Sequence, residues 1–288
     1  MSHIVLIDGT NLCRRAWSVA PKEKDAEGGE IGIMRLAPLM LLKLMGRMTH
    51  GAHVPTHMAM LFDGDRNGTW RRALHSGYKA VREDYEQDYL DQVEVIRNWC
   101  DSVGLAQCSS ATHEADDLIA SLALDANRDG MRVSIISSDK DLMQLIRPGI
   151  MQLSPIADKW YNAAAVVEKF GVGPDLLGDL LALAGDRVDG IPGAPGIGLD
   201  TARKILLEYG SLDDALDDPS RVARPSARKS LEIHAEQIRL SRRLVELDAF
   251  GAVPGFRPAE AVMPDRARAA AVMEALIEAR LREEMPAP

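Results

Sequence analysis

The chain has 288 residues, 46% of them hydrophobic and 27% charged, with a formal net charge of −9. That length allows one large domain or two of ordinary size around a substantial core, and the composition excludes disorder as the default. The acidic balance excludes nucleic-acid binding by bulk charge, though not through a local basic face.

Aromatics make up only 5%, so Leu, Met, Ala, Ile and Val must carry the packing. Cys13, Cys100 and Cys108 are an odd number with no CxxC pair, which argues for a reducing cytoplasm and against a disulfide frame or zinc site. His50, His53 and His57 lie close together, but Gly51 and Pro55 break any shared helical face, so they read as a polar loop. The opening MSHIVLID has no basic n-region and leads directly into a strand, unlike a signal peptide. Arg35 and Lys43 interrupt the apolar stretch 31–48, which makes it a core helix and not a membrane span.

In chain order, residues 3–7 (HIVLI) form a continuous apolar run, as expected of a strand buried on both faces. It ends at Asp8, with Arg14 and Arg15 close behind. A polar, glycine-bearing loop over 21–32 precedes a helix at 33–48. A second buried run at 57–62 (HMAMLF) ends at Asp63 and Gly64. Strand, helix, strand is a βαβ signature, and parallel sheets of this kind collect ligands at the carboxyl ends of their strands. From Asp65 the composition turns basic: Arg66, Arg71, Arg72, Lys79 and Arg82, interleaved with Trp70, His75 and Tyr78. Basic residues with aromatics suit a nucleic-acid backbone and exposed bases, and equally a solvated helix face. An amphipathic helix is predicted up to Cys100.

The stretch HEADDLIASLALDANRDGMRVSIISSDKD (113–141) holds the densest chemistry. Glu114, Asp116 and Asp117 head an apolar-periodic helix (Leu118, Ile119, Leu122). A turn at Asp129 and Gly130 follows, then a β-branched run at 133–136 ending in Ser137, Ser138, Asp139, Lys140 and Asp141. A further strand is expected at 150–153 and a helix at 166–170 closed by Gly171. Then come two helical patterns flanking the glycine- and proline-rich IPGAPGIG. Asp186 and Asp189 are expected to close the first of these helices at i, i+3 spacing on one face. The remainder, from Ser211, is predicted to be largely helical, with connectors near 219–225 and 254–264.

Nine acids therefore recur at strand ends and helix starts: Asp8, Asp63, Glu114, Asp116, Asp117, Asp139, Asp141, Asp186 and Asp189. Individually they pass as turn or first-turn residues. Together they make an all-oxygen set that selects magnesium or manganese over zinc. Two groups of carboxylates suggest two ions, roughly 3.5–4 Å apart in two-metal phosphodiesterases, a pair able to generate hydroxide and stabilise a leaving oxygen. The hairpin glycines Gly193, Gly196 and Gly198 would let backbone N–H groups approach a phosphate.

LIDGTNLCRRAW, LFDGD, YKAVR, HEADDLIASLA, SSDKDLMQL and LAGDRVDGIPGAPGIG fall in the order seen in the 5′ nuclease superfamily. Over roughly residues 3–250 the chain resembles the nuclease domain of bacterial DNA polymerase I and the stand-alone phage flap endonucleases, and its length fits a free-standing enzyme. The resemblance implies an α/β fold with a PIN-like core and a mostly parallel central sheet flanked by helices over 1–172, including a helical arch around 65–100. It further implies a C-terminal helical DNA-binding region over 173–288 of helix-three-turn-helix type, containing the hairpin 190–199. The implied activity is that of a flap endonuclease or 5′-3′ exonuclease on DNA with 5′ flaps or 5′ ends, in a monomer in the cytoplasm of a bacterium or phage-infected cell. Asp8, Asp63, Glu114 and Asp116 would then serve mainly one metal. Asp139, Asp141, Asp186 and Asp189 would serve the other, with Asp117 beside them. Lys79 and Arg82 match the basic residues that contact the scissile phosphate and the 5′ single strand. Tyr78 lies in the same DNA-facing segment, and Arg15, Arg71 and Arg72 match further backbone contacts. The hairpin 193–198 would hold a duplex phosphate with a monovalent cation such as K⁺ on its carbonyls.

Two positions depart from the family pattern. Gly190 stands where Asn is usual, and Asp200 where a Lys is common after the hairpin. An acid facing a phosphate repels it, so the resemblance implies a weaker duplex grip or one carried by Arg203 and Lys204. Three other readings compete. A haloacid-dehalogenase-type phosphatase would need a nucleophilic Asp at position 6, which is Leu. A catalytically silent branched-DNA binder would not need the full acid set. An RNA-cleaving PIN protein would lack the 186–198 region.

Overall fold

The computed structural model describes residues 2–20, 23–24, 30–48, 54–81, 86–249, 253 and 256–282. In chain order the first elements are β1 (His3–Asp8), α1 (Gly9–Val19), α2 (Gly32–Met48), β2 (His57–Phe62), α3 (Trp70–Leu74), α4 (Gln87–Val103) and β3 (Ala106–Ser109). Next come α5 (Ala115–Arg128), β4 (Arg132–Ile136), β5 (Ile150–Ser154), β6 (Lys159–Tyr161), α6 (Ala163–Phe170) and α7 (Pro174–Ala184). The last are α8 (Leu199–Tyr209), α9 (Leu212–Asp217), α10 (Pro225–Val245) and α11 (Arg266–Arg282).

The strands form one sheet in the order β3-β2-β1-β4-β5-β6, parallel except for β6, which runs antiparallel to β5. Strand β1 lies at its centre and shows why the apolar runs become strands. Side chains alternate across a strand. Val5 and Ile7 join the core beneath α1, α2 and α4, while Ile4 and Leu6 join the core beneath α5. Met58 and Met60 of β2 follow the first pair, and Ala59 and Leu61 the second. A run that must be apolar on both faces cannot show a polar alternation. The register sets Asp8 opposite Leu61 and Ile7 opposite Ile136, so β1, β2 and β4 end level with one another.

A third core holds the helical region. Leu177, Leu180 and Leu181 of α7, Ile205 and Leu206 of α8, and Leu231, Ile238 and Leu244 of α10 pack together, joined by Val166 of α6 and by Tyr78 and Met143 from the sheet side.

Four features of the structure bear on the expectations. Among the described residues, the segment 65–100 is helical in separate pieces. It contains a 3-10 turn at Arg66–Gly68, the five-residue α3 and a run of turns, while α4 buries Ile96, Trp99 and Val103 against the sheet. Not every helix after residue 173 packs with the helical region. α11 returns to the sheet layer, where Ala269 and Met273 enter the α2–α4 core and the Ala269 carbonyl accepts the Trp99 indole N–H at 3.1 Å. Asp186 and Asp189 lie beyond α7, which Gly185 ends, and share a side through a turn instead of a helix face. Strand β6, three residues at the sheet edge, was not anticipated. Its turn contains Asp158 at a positive φ of 47°. Among the described residues no helix is long and apolar enough to cross a membrane. His50 and His53 lie outside the described residues, and His57 begins β2 with its ring 2.7 Å from the Thr56 hydroxyl.

Candidate active site

The acids converge because strand ends and helix starts meet there. Asp8 ends β1 and caps α1: one carboxylate oxygen accepts the Asn11 N–H at 2.8 Å and the other the Ser137 hydroxyl at 2.8 Å. Asp63 follows β2 and accepts the Ala115 N–H at 2.8 Å, tying it to the start of α5. Glu114 caps that helix, and Asp116 lies in its first turn, where the helix dipole favours negative charge. After β4, Ser137 turns the chain so that its hydroxyl accepts the Asp139 N–H at 3.0 Å, and Asp139 in turn accepts the Asp141 N–H at 2.9 Å. Asp186 closes the last piece: its side chain accepts the N–H groups of Val188 and Asp189 while its backbone pairs with Ile191.

Among the described residues no three acidic, histidine or cysteine side chains enclose a point as they stand. They form a chain of electrostatic neighbours instead. Burial, then Asp63 and Asp139, pushes the Asp8 carboxyl up to about 7. Burial, then Asp139, Asp189 and Asp186, pushes Asp141 up to about 7 as well. Asp116 is raised by burial and by Asp139, Asp8 and Asp63, and Asp63 by burial and Glu114. One Asp141 oxygen is buried with no hydrogen-bond partner. An all-oxygen donor set, an orphaned carboxylate oxygen and carboxyls lifted by one another all fit a hard divalent cation, whose charge would return them to the ionised form.

Three cationic side chains are already built in. Lys79 donates to Glu114 at 2.6 Å with its side chain 12% exposed, and Glu114 and the other acids outweigh burial to hold its pKa well above the ordinary value. Glu114 also accepts the Tyr78 hydroxyl at 2.8 Å and Arg71 at 3.0 Å. Burial alone would raise Glu114, but Lys79 and Arg71 prevail and its carboxyl titrates below the usual value. Lys140 donates to Asp186 at 2.6 Å, and this bond overcomes burial to lower the Asp186 pKa. Sequence reasoning passed over Lys140, although a lysine between Asp139 and Asp141 is the signal of an internal countercharge. It also passed over Ser137, and over Arg14, whose charge lowers Asp63.

Several of the expected site residues are engaged inside the protein. Arg71 is buried, its side chain 2% exposed, and cannot reach a DNA backbone from there. It grips Asp117 bidentately at 2.7 and 2.8 Å and donates to the carbonyls of Leu244 and Glu246. Asp117 is fully buried and accepts the Trp70 indole and the Asp248 N–H as well, so its oxygens are spent on structure and not held toward a metal. Tyr78 is also buried, committed to Glu114. Arg15 and Arg72 are half-buried, and Arg82 lies outside the described residues.

In the hairpin, Gly193 is buried: its N–H goes to the Ser241 hydroxyl, and its carbonyl accepts Gln237. It packs on Gly185 so closely that a Cβ would lie 2.6 Å from the Gly185 nitrogen, so it closes the hairpin instead of facing DNA. The Ala194 and Pro195 carbonyls accept internal bonds too, from the Ile197 N–H and the Ser230 hydroxyl. Gly196 and Gly198 are exposed with open space around them, next to the start of α8. Lys204 is exposed, while Arg203 pairs with Asp200 at 2.8 Å. The phosphatase reading fails because Leu6, where its nucleophile would stand, is wholly buried.

Fold and site define a resolvase-like α/β protein with a SAM-type helical unit. The model of the 5′-3′ exonuclease N-terminal resolvase-like domain matches residues 3–171, and that of the 5′-3′ exonuclease C-terminal SAM fold matches 172–255. The chain belongs to the 5′-3′ exonuclease family. It is 37% identical to DNA polymerase I of Rhizobium leguminosarum over 248 residues, 85% of this chain and 24% of that protein. It is 31% identical to the 5′-3′ exonuclease of Aquifex aeolicus over 249 residues, 86% of this chain and 82% of that one. It thus spans about a quarter of the length of the polymerases it matches. Among solved structures, the zinc-bound T5 5′-exonuclease superposes with a TM-score of 0.73 at 19% identity over 98% of both chains. The catalytic core of Rad2 with DNA substrate gives 0.56 at 14% identity over 98% of this chain and 90% of that one. At these identities both comparisons speak to the fold.

Proposed function

We propose that the chain is a divalent-metal-dependent, structure-selective 5′ nuclease that hydrolyses DNA phosphodiesters near single-strand/duplex junctions. The observation that carries this reading is the run of acids at the carboxyl end of the sheet, with a protonated Lys79 among them. Asp8, Asp63 and Asp116 would hold one magnesium or manganese ion, with Glu114 beside them holding Lys79. Asp139, Asp141, Asp186 and Asp189 would hold a second. Bound there, such ions supply an activated water and charge for the leaving oxygen. Lys79 keeps its proton among the acids and presents positive charge to the developing phosphorane. Arg71 and Tyr78 fix Glu114, and through it the lysine. Arg82 is proposed as a contact of the 5′ single strand on the family resemblance alone.

Gly196, Gly198 and the N-terminus of α8 offer open backbone to a duplex phosphate, with Lys204 nearby and K⁺ as the candidate monovalent ion. The partner is DNA with 5′ flaps or 5′ ends, met by a monomer in the cytoplasm. The names of the T5 and Rad2 structures, one with metal and one with DNA, support both halves of the reading.

The test is to incubate 5′-labelled flap, nicked and single-stranded DNA with the protein in magnesium or in EDTA and to read product lengths. Magnesium-dependent products ending near the flap junction are expected. Flap binding without cleavage in either condition would replace this reading with that of a silent branched-DNA binder.

A further inference from the structure

Lys79 adopts a left-handed backbone, φ 49°, a region that long side chains rarely enter without being forced. The forcing contacts come from the other side of the site. The Lys79 N–H donates to the Asp189 carbonyl at 2.8 Å. Immediately after Asp189, Gly190 sits at φ 68° against the 77–79 turn, so tightly that a Cβ built on it would lie 2.1 Å from the Gly77 carbonyl oxygen and 3.5 Å from the Lys79 nitrogen. The turn that carries Gly190 is itself rigid. Asp186 and Ile191 exchange two backbone hydrogen bonds at 2.7 and 2.9 Å, and Gly185 and Gly193 press together at its base. The 77–79 turn is anchored at its far side by Tyr78 and Lys79, both bonded to Glu114.

We propose that Gly190 is a positioning residue: its lack of a side chain lets the 77–79 turn dock on the Asp186–Ile191 turn, and that docking aims the Lys79 ammonium. One backbone hydrogen bond then ties the residue that faces the phosphate to the loop that carries Asp186 and Asp189. Although Asn is usual at this position in the family, a Cβ in this chain would meet the Gly77 carbonyl oxygen at 2.1 Å, so here a side chain at 190 must push the two turns apart, and Lys79 moves with its turn.

Its kinetic arm rests on the nuclease reading, and its exchange arm does not. The variants are Gly190→Ala and Gly190→Asn. Asn enters the left-handed region readily, so it separates the lost contact from backbone strain. In the parent, hydrogen exchange should find the Lys79 amide protected, and in both variants that protection should disappear. Single-turnover cleavage of a 5′-flap in magnesium should slow by on the order of tenfold to a hundredfold, the scale of an ångström misplacement of a reacting group. KM should move by less than about threefold, because substrate contacts outside the site are intact. A parental Lys79 amide that exchanges like a free loop amide would overturn the docking without any variant. A Gly190→Asn protein with parental protection and parental rate would overturn the positioning role. A parent that shows the protection and loses it in the variants, yet cuts no DNA, keeps the docking and removes the nuclease reading alone.

Discussion

The two groups of acids differ in what holds them. The first, Asp8, Asp63, Glu114 and Asp116, is mounted on strand ends and helix caps, and its centre is locked by side chains that hardly meet solvent. Glu114 alone receives Lys79, Arg71 and Tyr78. The second, Asp139, Asp141, Asp186 and Asp189, is mounted on loops, and its countercharge, Lys140, is 39% exposed. Secondary structure positions the first group and turns position the second. A buried ion pair is expensive to break, whereas an exposed one contributes little. The first group should therefore respond to mutation through stability and the second through chemistry.

The sharpest test falls on the second group. Asp139→Asn removes a charge and a metal-ligand candidate while keeping the shape that accepts the Asp141 N–H. Flap cleavage in magnesium should fall by about a thousandfold or more, with flap affinity in a gel shift unchanged or improved because a repulsive charge is gone. Near-parental cleavage would remove Asp139 from the site.

The first group is broken by Arg71→Ala. Asp117, wholly buried, would lose its bidentate partner, and such orphaned buried charges cost about 3–5 kcal/mol. At roughly 2–4 °C per kcal/mol the melting temperature should drop by on the order of 10 °C. Arg71→Lys should rescue little, since an ammonium cannot make the same fork. If Arg71 instead contacted DNA, the melt would hold and the salt dependence of flap binding would weaken.

A smaller effect runs through both groups. Asp8 and Asp141 titrate near 7 in the folded protein against an ordinary 3.8, so between about pH 4 and 7 the folded state holds protons that the unfolded chain has lost. Metal-free stability from these groups therefore falls as pH rises through that window. Glu114 and Asp186, both lowered, contribute in the opposite sense: their stabilisation is complete above the ordinary carboxyl pKa and fades at more acidic pH. In EDTA the melting temperature should be several degrees higher at pH 5 than at pH 7.5, and millimolar magnesium should recover the difference at pH 7.5 by binding only the folded cluster. A melt that rises over this range in EDTA would contradict the clustering of the carboxyls.

The strands were legible because a chain buried on both faces must be apolar throughout, and the acids because they follow those runs directly. What stayed hidden was direction. Arg71 and Arg72 are adjacent and alike in sequence, yet α3 turns one into the core and leaves the other half exposed. The partners that decide this, the carbonyls of Leu244 and Glu246, lie more than 170 residues away. Asp117 looked like a third first-turn acid for the same reason. For Asp186 and Asp189 the periodicity of α7 suggests a shared helix face, whereas Gly185 stops the helix before them. The apolar residues of α11 could have packed on either layer, and nothing local to them selects the sheet.

The return of α11 has a consequence for where this protein can be divided. The family models match no further than residue 255, yet Trp99 donates its indole N–H to Ala269, Arg266 donates to the Leu42 carbonyl at 3.0 Å, and Met273 fills the space beside α2 and α4. A chain cut at the family boundary would keep every acid and the whole hairpin while baring an oily face on the opposite layer. The stretch that the family models match and the stretch that packs together are therefore different lengths of the same polypeptide.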